Sequence, residues 1–228
     1  MLFRGRSAAL PDLLVPASLF LTTWAFVGMN ILTPGPNVLN TIALAIGSGR
    51  RAGFGAALGV GLGIGMWCLG MSLGLSVAFQ HLPWLRPAMT LVACGLLVWF
   101  ASRYLRNARA GWLARGQPGT AALQGRAGVG MRGAFWRSLS VNASNPKALT
   151  TWVAVLAIFP VAQASGADIA LLCLGSCLMS FLIHSIYAVA FSTPVAARAY
   201  LRAAPAINAG VALFFLAFAA RLAFAQIG

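Results

Sequence analysis

Six long apolar segments alternate with short, more polar connections along the 228-residue chain. The segments cover about residues 18–46, 54–79, 87–106, 136–160, 168–192 and 206–226. Segments of this length approach or exceed the roughly 20 apolar residues that an α-helix needs to cross a bilayer. The pattern therefore predicts an all-α integral membrane protein with six transmembrane helices.

Two of these segments contain residues that a helix interior normally excludes. The first segment holds "LTPGPN" at 32–37, and the fourth holds "SNPKAL" at 144–149. Proline lacks an N–H donor and clashes with the carbonyl four residues earlier, so each cluster predicts a break in its helix. Because the two segments lie three spans apart, they enter the membrane from opposite sides. This arrangement predicts an inverted 3+3 repeat with broken helices 1 and 4.

The repeats divide one transmembrane transporter domain that covers residues 1–228. Repeat one takes about 18–106, and repeat two takes about 136–226. Between them lies a connection, about 107–135, that is rich in glycine and arginine and contains no acidic residue. Such a composition cannot bury a core, so we expect a mobile loop there.

The breaks are also the candidate substrate site. Carbonyl groups freed by proline need partners in lipid, and a helix N-terminus inside the membrane can bind an anion such as a carboxylate. One break alone is better explained by a kink that neighbouring helices stabilise, whereas two matched breaks favour a transport site. The candidate substrate-binding residues are Pro34, Gly35, Pro36, Asn37, Asn145, Pro146 and Lys147.

Two ionisable side chains inside the predicted spans add candidate chemistry. Lys147 could bind a substrate carboxylate, act as a counter-ion or titrate, or it could simply extend to the cytoplasmic interface. His184 shares a helix face with Ser176, Ser180 and Tyr187. Because histidine titrates near neutral pH, His184 and Tyr187 are the candidate proton-coupling residues, with a packing role for His184 as the alternative.

Composition and charge support a membrane protein. Hydrophobic residues make up 60% of the chain and charged residues only 8%, whereas soluble domains carry about a quarter charged residues. The net charge of +14 comes mainly from arginines in connections 1–2, 3–4 and 5–6. Membrane proteins keep such loops cytoplasmic, so we expect no nucleic-acid partner, both termini in the periplasm and the loop 107–135 in the cytoplasm.

The acidic residues narrow the choice of substrate. Asp12 and Asp168 are the only two, and both lie near predicted membrane edges. A site without a carboxylate suits a substrate that carries its own carboxylate and a neutral or polar remainder. We find no hydrolase motif and no phosphate-binding loop, so no enzyme activity, cofactor or metal is predicted.

Small residues and cysteines leave two further possibilities open. Glycines at four-residue spacing in the second segment predict close helix packing, either within one subunit or in a homodimer. They are Gly55, Gly59 and Gly63, Gly61 and Gly65, and Gly70 and Gly74. A membrane thiol–disulfide electron carrier is the alternative function, but it requires a reactive cysteine pair near the broken helices. The four cysteines, Cys68, Cys94, Cys173 and Cys177, all lie outside both broken segments.

The motifs resemble the lysine exporter (LysE/RhtB) family of bacterial amino-acid efflux proteins. The matching stretches are "LTPGPN" at 32–37, "GRRAGFGAALG" at 49–59, "NPKA" at 145–148 and "FP" at 159–160. The resemblance implies six spans in the bacterial inner membrane and export of an amino acid or related small zwitterion, driven by the proton-motive force. Many members have an aspartate where this chain has Asn37, and an amide cannot titrate. The resemblance therefore does not extend to proton coupling at that position.

Overall fold

The computed structural model describes residues 13–82, 84–114 and 128–224, and every regular element among them is an α-helix. The helices, in chain order, are α1 (Ala17–Leu32), α2 (Pro36–His81), α3 (Leu85–Leu113), α4 (Met131–Ala143), α5 (Pro146–Ile158), α6 (Gly166–Ala190) and α7 (Pro194–Phe224). The all-α prediction is confirmed over these residues.

Three helical stretches of the described residues are long and apolar enough to cross a membrane. They are Pro36–Gly74 within α2, the whole of α6, and Arg198–Arg221 within α7. Two shorter apolar helices, α1 and Lys147–Ile158, fall below that length, as expected for the halves of interrupted spans. The membrane character of the chain is thereby confirmed, while the count of six spans stays a prediction.

Both predicted helix breaks are present. In the first, α1 ends at Leu32, Thr33 adopts an extended conformation, and α2 begins at Pro36. In the second, α4 ends at Ala143 and α5 begins at Pro146. Proline is well suited to the first turn of a helix, where its missing N–H would have no partner in any case.

The connection between the first two predicted segments is a kink in one long helix. Within α2, Gly49 has a φ of 81° and a ψ of 174°. A residue with a Cβ is strained at this φ, and glycine adopts it freely. The helix therefore changes direction at Gly49 with no loop between its two halves.

The predicted bounds of the long loop are wrong at both ends. Helix α3 continues to Leu113, α4 already begins at Met131, and residues 115–127 lie outside the described part. Helix packing explains both extensions. Gly111 of α3 lies directly against Pro205, and Gly55 of α2 lies against the backbone of Met131.

The sixth predicted segment also begins too late. It was placed from residue 206, whereas α7 begins at Pro194 and contains Pro205 in its interior. A proline inside a helix costs a hydrogen bond, and here its ring packs against Gly111 of α3. The α3–α7 contact thus accommodates a residue that the sequence alone marks as a helix boundary.

The glycine spacing of α2 serves packing within one chain. Helix α2 packs chiefly against α4 and α6. A methyl group on Gly55 or Gly59 would overlap a backbone carbonyl of α4, and one on Gly63 would overlap the Asn142 side chain. A methyl group on Gly61 would lie 3.1 Å from the carbonyl oxygen of Cys177 in α6, whereas one on Gly65 would only touch the Cys177 side chain. Gly70 and Gly74 have no neighbouring atom within 4 Å of such a methyl group. The predicted homodimer therefore gains no support from these glycines.

The predicted polar stripe of α6 lies on the buried side of that helix. The opposite face exposes large apolar side chains, as a helix in contact with lipid should. The exposed residues are Leu174, Leu178, Leu182 and Ile186. The buried polar residues are Ser176, Ser180, His184 and Tyr187.

Candidate functional site

The two helix breaks are in direct contact through Lys147, the second residue of α5. Its Nζ donates a hydrogen bond to the carbonyl oxygen of Asn30 over 2.9 Å and another to Thr33 Oγ1. A Cβ on Gly35 would lie 3.4 Å from the same Nζ. The lysine of the second break therefore fills the gap in the first, and it does not extend away from the helices.

Lys147 replaces a backbone hydrogen bond that proline removes. In an unbroken helix the N–H of residue 34 would donate to the carbonyl of Asn30, and Pro34 has no N–H. That carbonyl accepts instead from Lys147 Nζ and, over 2.6 Å, from Thr33 Oγ1. The backbone N–H of Thr33 also donates to it over 3.3 Å, so one backbone donor and two side-chain donors close the C-terminus of α1.

The second proline of the first break leaves the carbonyl of Leu32 without its helical donor. Two tyrosine hydroxyls donate to it, Tyr187 of α6 over 3.2 Å and Tyr200 of α7 over 3.3 Å. Pro36 can therefore start α2 without leaving a buried carbonyl unpaired. The hydroxyl of Tyr187, a predicted proton-coupling residue, is engaged in this bond.

The second break follows the same rule. Pro146 removes the donor for the carbonyl of Asn142, which accepts from Trp67 Nε1 of α2 over 3.3 Å. Asn145 caps the new helix, because its Oδ1 accepts from the N–H of Lys147 over 3.0 Å. Each proline of the two breaks thus has a side chain that pairs the carbonyl it frees.

A cavity of about 50 Å³, here called the first cavity, lies between the breaks. Helix α2 contributes Asn37, α4 contributes Asn142, and α6 contributes His184. Lys147 and Asn145 belong to the second break, and the other polar lining residues are Asn30, Thr33 and Thr151. The cavity therefore collects polar groups from five helices and from both breaks.

Four buried side-chain atoms on the first cavity have no hydrogen-bond partner among the described residues. They are Asn37 Oδ1, Asn142 Oδ1, Asn142 Nδ2 and His184 Nε2. Buried polar groups are nearly always paired, and an unpaired one costs about 1–3 kcal/mol. Such a concentration around one cavity indicates a site that a polar ligand completes.

The hydrogen bonds assign the proton of His184. Its Nδ1 lies 2.9 Å from the carbonyl oxygen of Ser180, which can only accept. In the neutral ring Nδ1 therefore carries the hydrogen, and Nε2 is an acceptor directed at the cavity. The first cavity thus offers three acceptor atoms and one amide donor beside the amine of Lys147.

A second cavity, of about 200 Å³, lies on the other side of Lys147. Helix α3 lines it with Trp99, Arg103, Tyr104 and Asn107, and the first break adds Pro34. The residues that line both cavities are Gly35, Pro36, Asn145 and Lys147.

The two cavities collect most of the residues predicted from the sequence. Those shared by both cavities were all predicted. Asn37 and His184 line the first cavity only, and Pro34 lines the second only. Pro146 forms the start of α5. Tyr187 is not among the lining residues of either cavity and instead supports the end of α1.

Several residues of the site were not predicted. Asn30 Nδ2 donates to Thr151 Oγ1 over 2.5 Å, and that hydroxyl donates to the carbonyl of Lys147 over 2.6 Å. Asn142 lies three positions before Asn145, so the amide spacing was a signal that could have included it. Arg103 carried no such signal, because its place at the end of a predicted span indicated a loop flank.

Neither cavity is lined by a carboxylate. Asp168, the only acid in the described part of the chain, accepts hydrogen bonds from the backbone N–H groups of Leu14, Val15 and Ser165 at the start of α6. The hydrogen-bond partners of the Lys147 amine are neutral oxygens, and the ring of Tyr104 lies 5.6 Å from it. A half-buried cation with neutral partners only favours an anionic ligand.

The cysteines form one close pair away from the cavities. Cys68 Sγ of α2 lies 2.9 Å from Cys173 Sγ of α6, and both thiols are free. Neither residue lines a cavity. Among the described residues, no group of three histidine, cysteine or acidic side chains is placed to hold a metal ion.

Two interrupted helices that enclose a polar cavity inside an apolar helical fold define a membrane transporter. The family model described as LysE type translocator matches residues 29–226, and the chain belongs to this family. The matched range includes both breaks and, except for Val27, every residue that lines the cavities. The predicted resemblance is confirmed, and the protein is a small-molecule efflux transporter of the membrane, not an enzyme. No curated protein and no solved structure matches the chain.

Proposed function

We propose that this translocator exports an amino acid or a related small zwitterion across the bacterial inner membrane, coupled to the proton-motive force. The observation that carries the proposal is that Lys147 and several acceptor atoms without hydrogen-bond partners belong to residues lining the same cavity. A carboxylate would bind the Lys147 amine. An ammonium group would donate to Asn37 Oδ1, Asn142 Oδ1 or His184 Nε2. A zwitterion satisfies both halves of the site at once.

The size and charge of the first cavity limit which substrates can bind. By the volume that one ordered water requires, about 50 Å³ holds about three water molecules. A compact side chain fits such a space better than a large one. A second cationic group would find no carboxylate on the cavity lining, so a neutral side chain is favoured.

The carboxylate is expected at Lys147 and at the N-terminus of α2. The N-terminus of α5 is already capped, since Asn145 accepts from the N–H groups of Lys147 and Ala148 over 3.0 and 2.9 Å. The first N–H groups of α2, after Pro36, have no acceptor within the helix. Such a helix end favours a negative charge.

Alternating access follows from the residues shared by the two cavities. In our proposal the chain has six spans in an inverted 3+3 repeat, and one repeat rocks against the other around Lys147 and Gly35. The arginine-rich connections support a cytoplasmic loop and periplasmic termini. Proton coupling is assigned to His184, with Tyr187 beside it, because Asn37 cannot titrate.

Flux in proteoliposomes tests this proposal. The twenty standard L-amino acids, each radiolabelled, are offered to the purified protein with an imposed proton gradient and again with a protonophore. We expect accumulation of one or a few small neutral amino acids that depends on the gradient and is lost in Lys147→Met. A folded wild-type protein that moves none of the twenty would overturn the assignment.

The alternative function, a membrane thiol–disulfide electron carrier, draws on the Cys68–Cys173 pair alone. A carrier of that kind would need its thiols at the broken helices, where its partners could reach them. Cys68 is instead buried among the side chains of the main apolar core. The position of the pair favours the transport proposal.

A further inference from the structure

The second cavity has its own polar lining, which the first cavity does not use. Trp99, Arg103 and Asn107 recur every four residues, so they share one face of α3. The guanidinium carbon of Arg103 lies 4.9 Å from the centroid of the Trp99 ring. A guanidinium held over an aromatic face keeps its N–H groups available for a carboxylate, which arginine binds well because two parallel hydrogen bonds can form.

The second cavity connects to the first through one chain of contacts. Tyr104 is buried, and its hydroxyl lies 3.0 Å from Thr33 Oγ1. The same Oγ1 accepts from Lys147 Nζ. Lys147 and Gly35 line both cavities, so the two cavities adjoin at these residues.

We propose that the second cavity is a separate substrate site, in which Arg103 binds the carboxylate of the zwitterion before Lys147 receives it. The inference rests on the proposed function and adds the residue that first captures the substrate. With about 200 Å³ against about 50 Å³, the second cavity accepts a substrate that still carries part of its hydration. Asn107 supplies an amide, and Trp99 supplies an apolar wall for the rest of the molecule.

Arginine and tryptophan near a helix end also occur as a pair that anchors a helix at the lipid headgroups. The two functions differ in what they predict for transport. An anchoring arginine affects insertion and stability. A substrate-binding arginine affects the substrate concentration at which transport is half-maximal.

Transport kinetics of Arg103→Gln separate these outcomes. The probe is the radiolabelled L-amino acid that wild-type proteoliposomes accumulate fastest. Arg103 is exposed, so we expect KM to rise about fivefold, as for the loss of one exposed charge pair, while kcat stays close to wild type. Arg103→Lys should recover only part of the change, because it keeps the charge but cannot form the two parallel hydrogen bonds. The matched control is Arg106→Gln, an exposed arginine on the same helix that is not among the lining residues of either cavity.

Protection of an introduced thiol tests occupancy directly. In a protein whose four native cysteines are replaced by alanine, Asn107→Cys and, separately, Arg106→Cys are alkylated with a membrane-impermeant maleimide. The same amino acid at about ten times its KM fills about nine-tenths of the sites by mass action. It should slow alkylation at position 107 severalfold and leave position 106 unchanged. Adding Arg103→Gln should weaken the protection.

The outcomes distinguish this inference from the proposed function. Wild-type flux with an unchanged KM in Arg103→Gln and no protection at position 107 would overturn the second site alone and leave Arg103 as a lipid anchor. Equal protection at both positions would also overturn it, because it would report a general conformational change. No amino-acid flux in the wild type would overturn the proposed function and the second site together.

Discussion

Lys147 Nζ lies 2.9 Å from the carbonyl oxygen of Asn30, and this hydrogen bond joins the two interrupted helices. The bond places a basic group at the C-terminus of α1, where the helix dipole favours a positive charge. Lys147 also lines both cavities. A substrate carboxylate that binds the amine therefore competes with the end of α1. Substrate binding and the relative position of the two breaks are coupled through one side chain.

Because Lys147 closes the end of α1, its replacement should lower stability as well as flux. In Lys147→Met the carbonyl of Asn30 loses a charged donor, and Thr33 Oγ1 remains its only side-chain donor. Hydrogen bonds to charged groups contribute about 1.5–3 kcal/mol. We expect a clearly lower Tm in detergent, with Lys147→Arg closer to wild type. Arg106→Gln, the exposed control on α3, should leave Tm unchanged. An unaltered Tm in Lys147→Met would show that the amine does not hold the end of α1.

Asn37 should show opposite effects on stability and transport. Its Oδ1 is buried without a partner, and leucine has the same branched shape and number of heavy atoms without the polar groups. Asn37→Leu removes a desolvation cost of about 1–3 kcal/mol, so the free energy of unfolding should rise in the absence of substrate. Flux should fall more than about tenfold, since 1.4 kcal/mol of lost binding is already that large. A variant that loses both stability and flux would instead show that Oδ1 is paired in the empty protein.

The positions of the breaks could be predicted from the sequence because their cause is local. Proline acts on the carbonyl four residues earlier, wherever the rest of the chain lies. The partners of those carbonyls could not be predicted. Lys147 follows Asn30 by 117 positions, and Trp67 comes from a different helix. Only the packed structure brings such groups together, so the sequence could indicate the two breaks but not the bonds that join them.

The helix ends that were predicted wrongly depend on tertiary contacts. The composition between residues 107 and 113 predicts a loop, and the sixth apolar segment is predicted to begin only at about residue 206. In the structure Gly111 and Pro205 pack against each other, so α3 and α7 both extend through these positions. The helix propensities of these residues favour an end to each helix, and the contact between the two helices outweighs that preference.

The glycine face of α2 gives a matched pair of stability tests. A Cβ on Gly59 would overlap the carbonyl oxygen of Phe135 in α4, whereas a Cβ on Gly70 would meet no atom within 4 Å. Gly70→Ala should be neutral or stabilising by up to about 1 kcal/mol, because alanine favours the helix. Gly59→Ala should destabilise by about 1–3 kcal/mol through overpacking. Unfolding in detergent measures both. Equal effects would contradict the close α2–α4 contact.

Removing the cysteine pair should leave transport intact. Cys68 and Cys173 fill space between α2 and α6, and alanine at both positions leaves a small cavity there. We expect Cys68→Ala with Cys173→Ala to lower Tm slightly and to keep flux close to wild type. Cys94→Ala serves as the control outside the pair. A complete loss of activity in a folded double variant would favour thiol chemistry over the transport mechanism proposed above.

If His184 carries the coupling proton, its replacement should affect accumulation driven by a proton gradient but not exchange of substrate across the membrane. The Nε2 atom is unpaired and directed at the first cavity, while Nδ1 is held by Ser180. Glutamine can offer a polar group there but cannot titrate. His184→Gln should therefore lose accumulation driven by a proton gradient and retain exchange of labelled for unlabelled substrate, which needs no net proton movement.

Two controls keep the His184 experiment interpretable. Ser176→Ala removes another unpaired hydroxyl on the same face of α6, away from the cavities, and should preserve both assays. Tyr187→Phe removes one donor to Leu32 and leaves Tyr200 as the other. If Tyr187 only supports the end of α1, this variant keeps its dependence on the proton gradient. If instead His184→Gln still accumulates substrate against a gradient while Tyr187→Phe does not, the coupling proton is carried at Tyr187, and His184 only binds substrate.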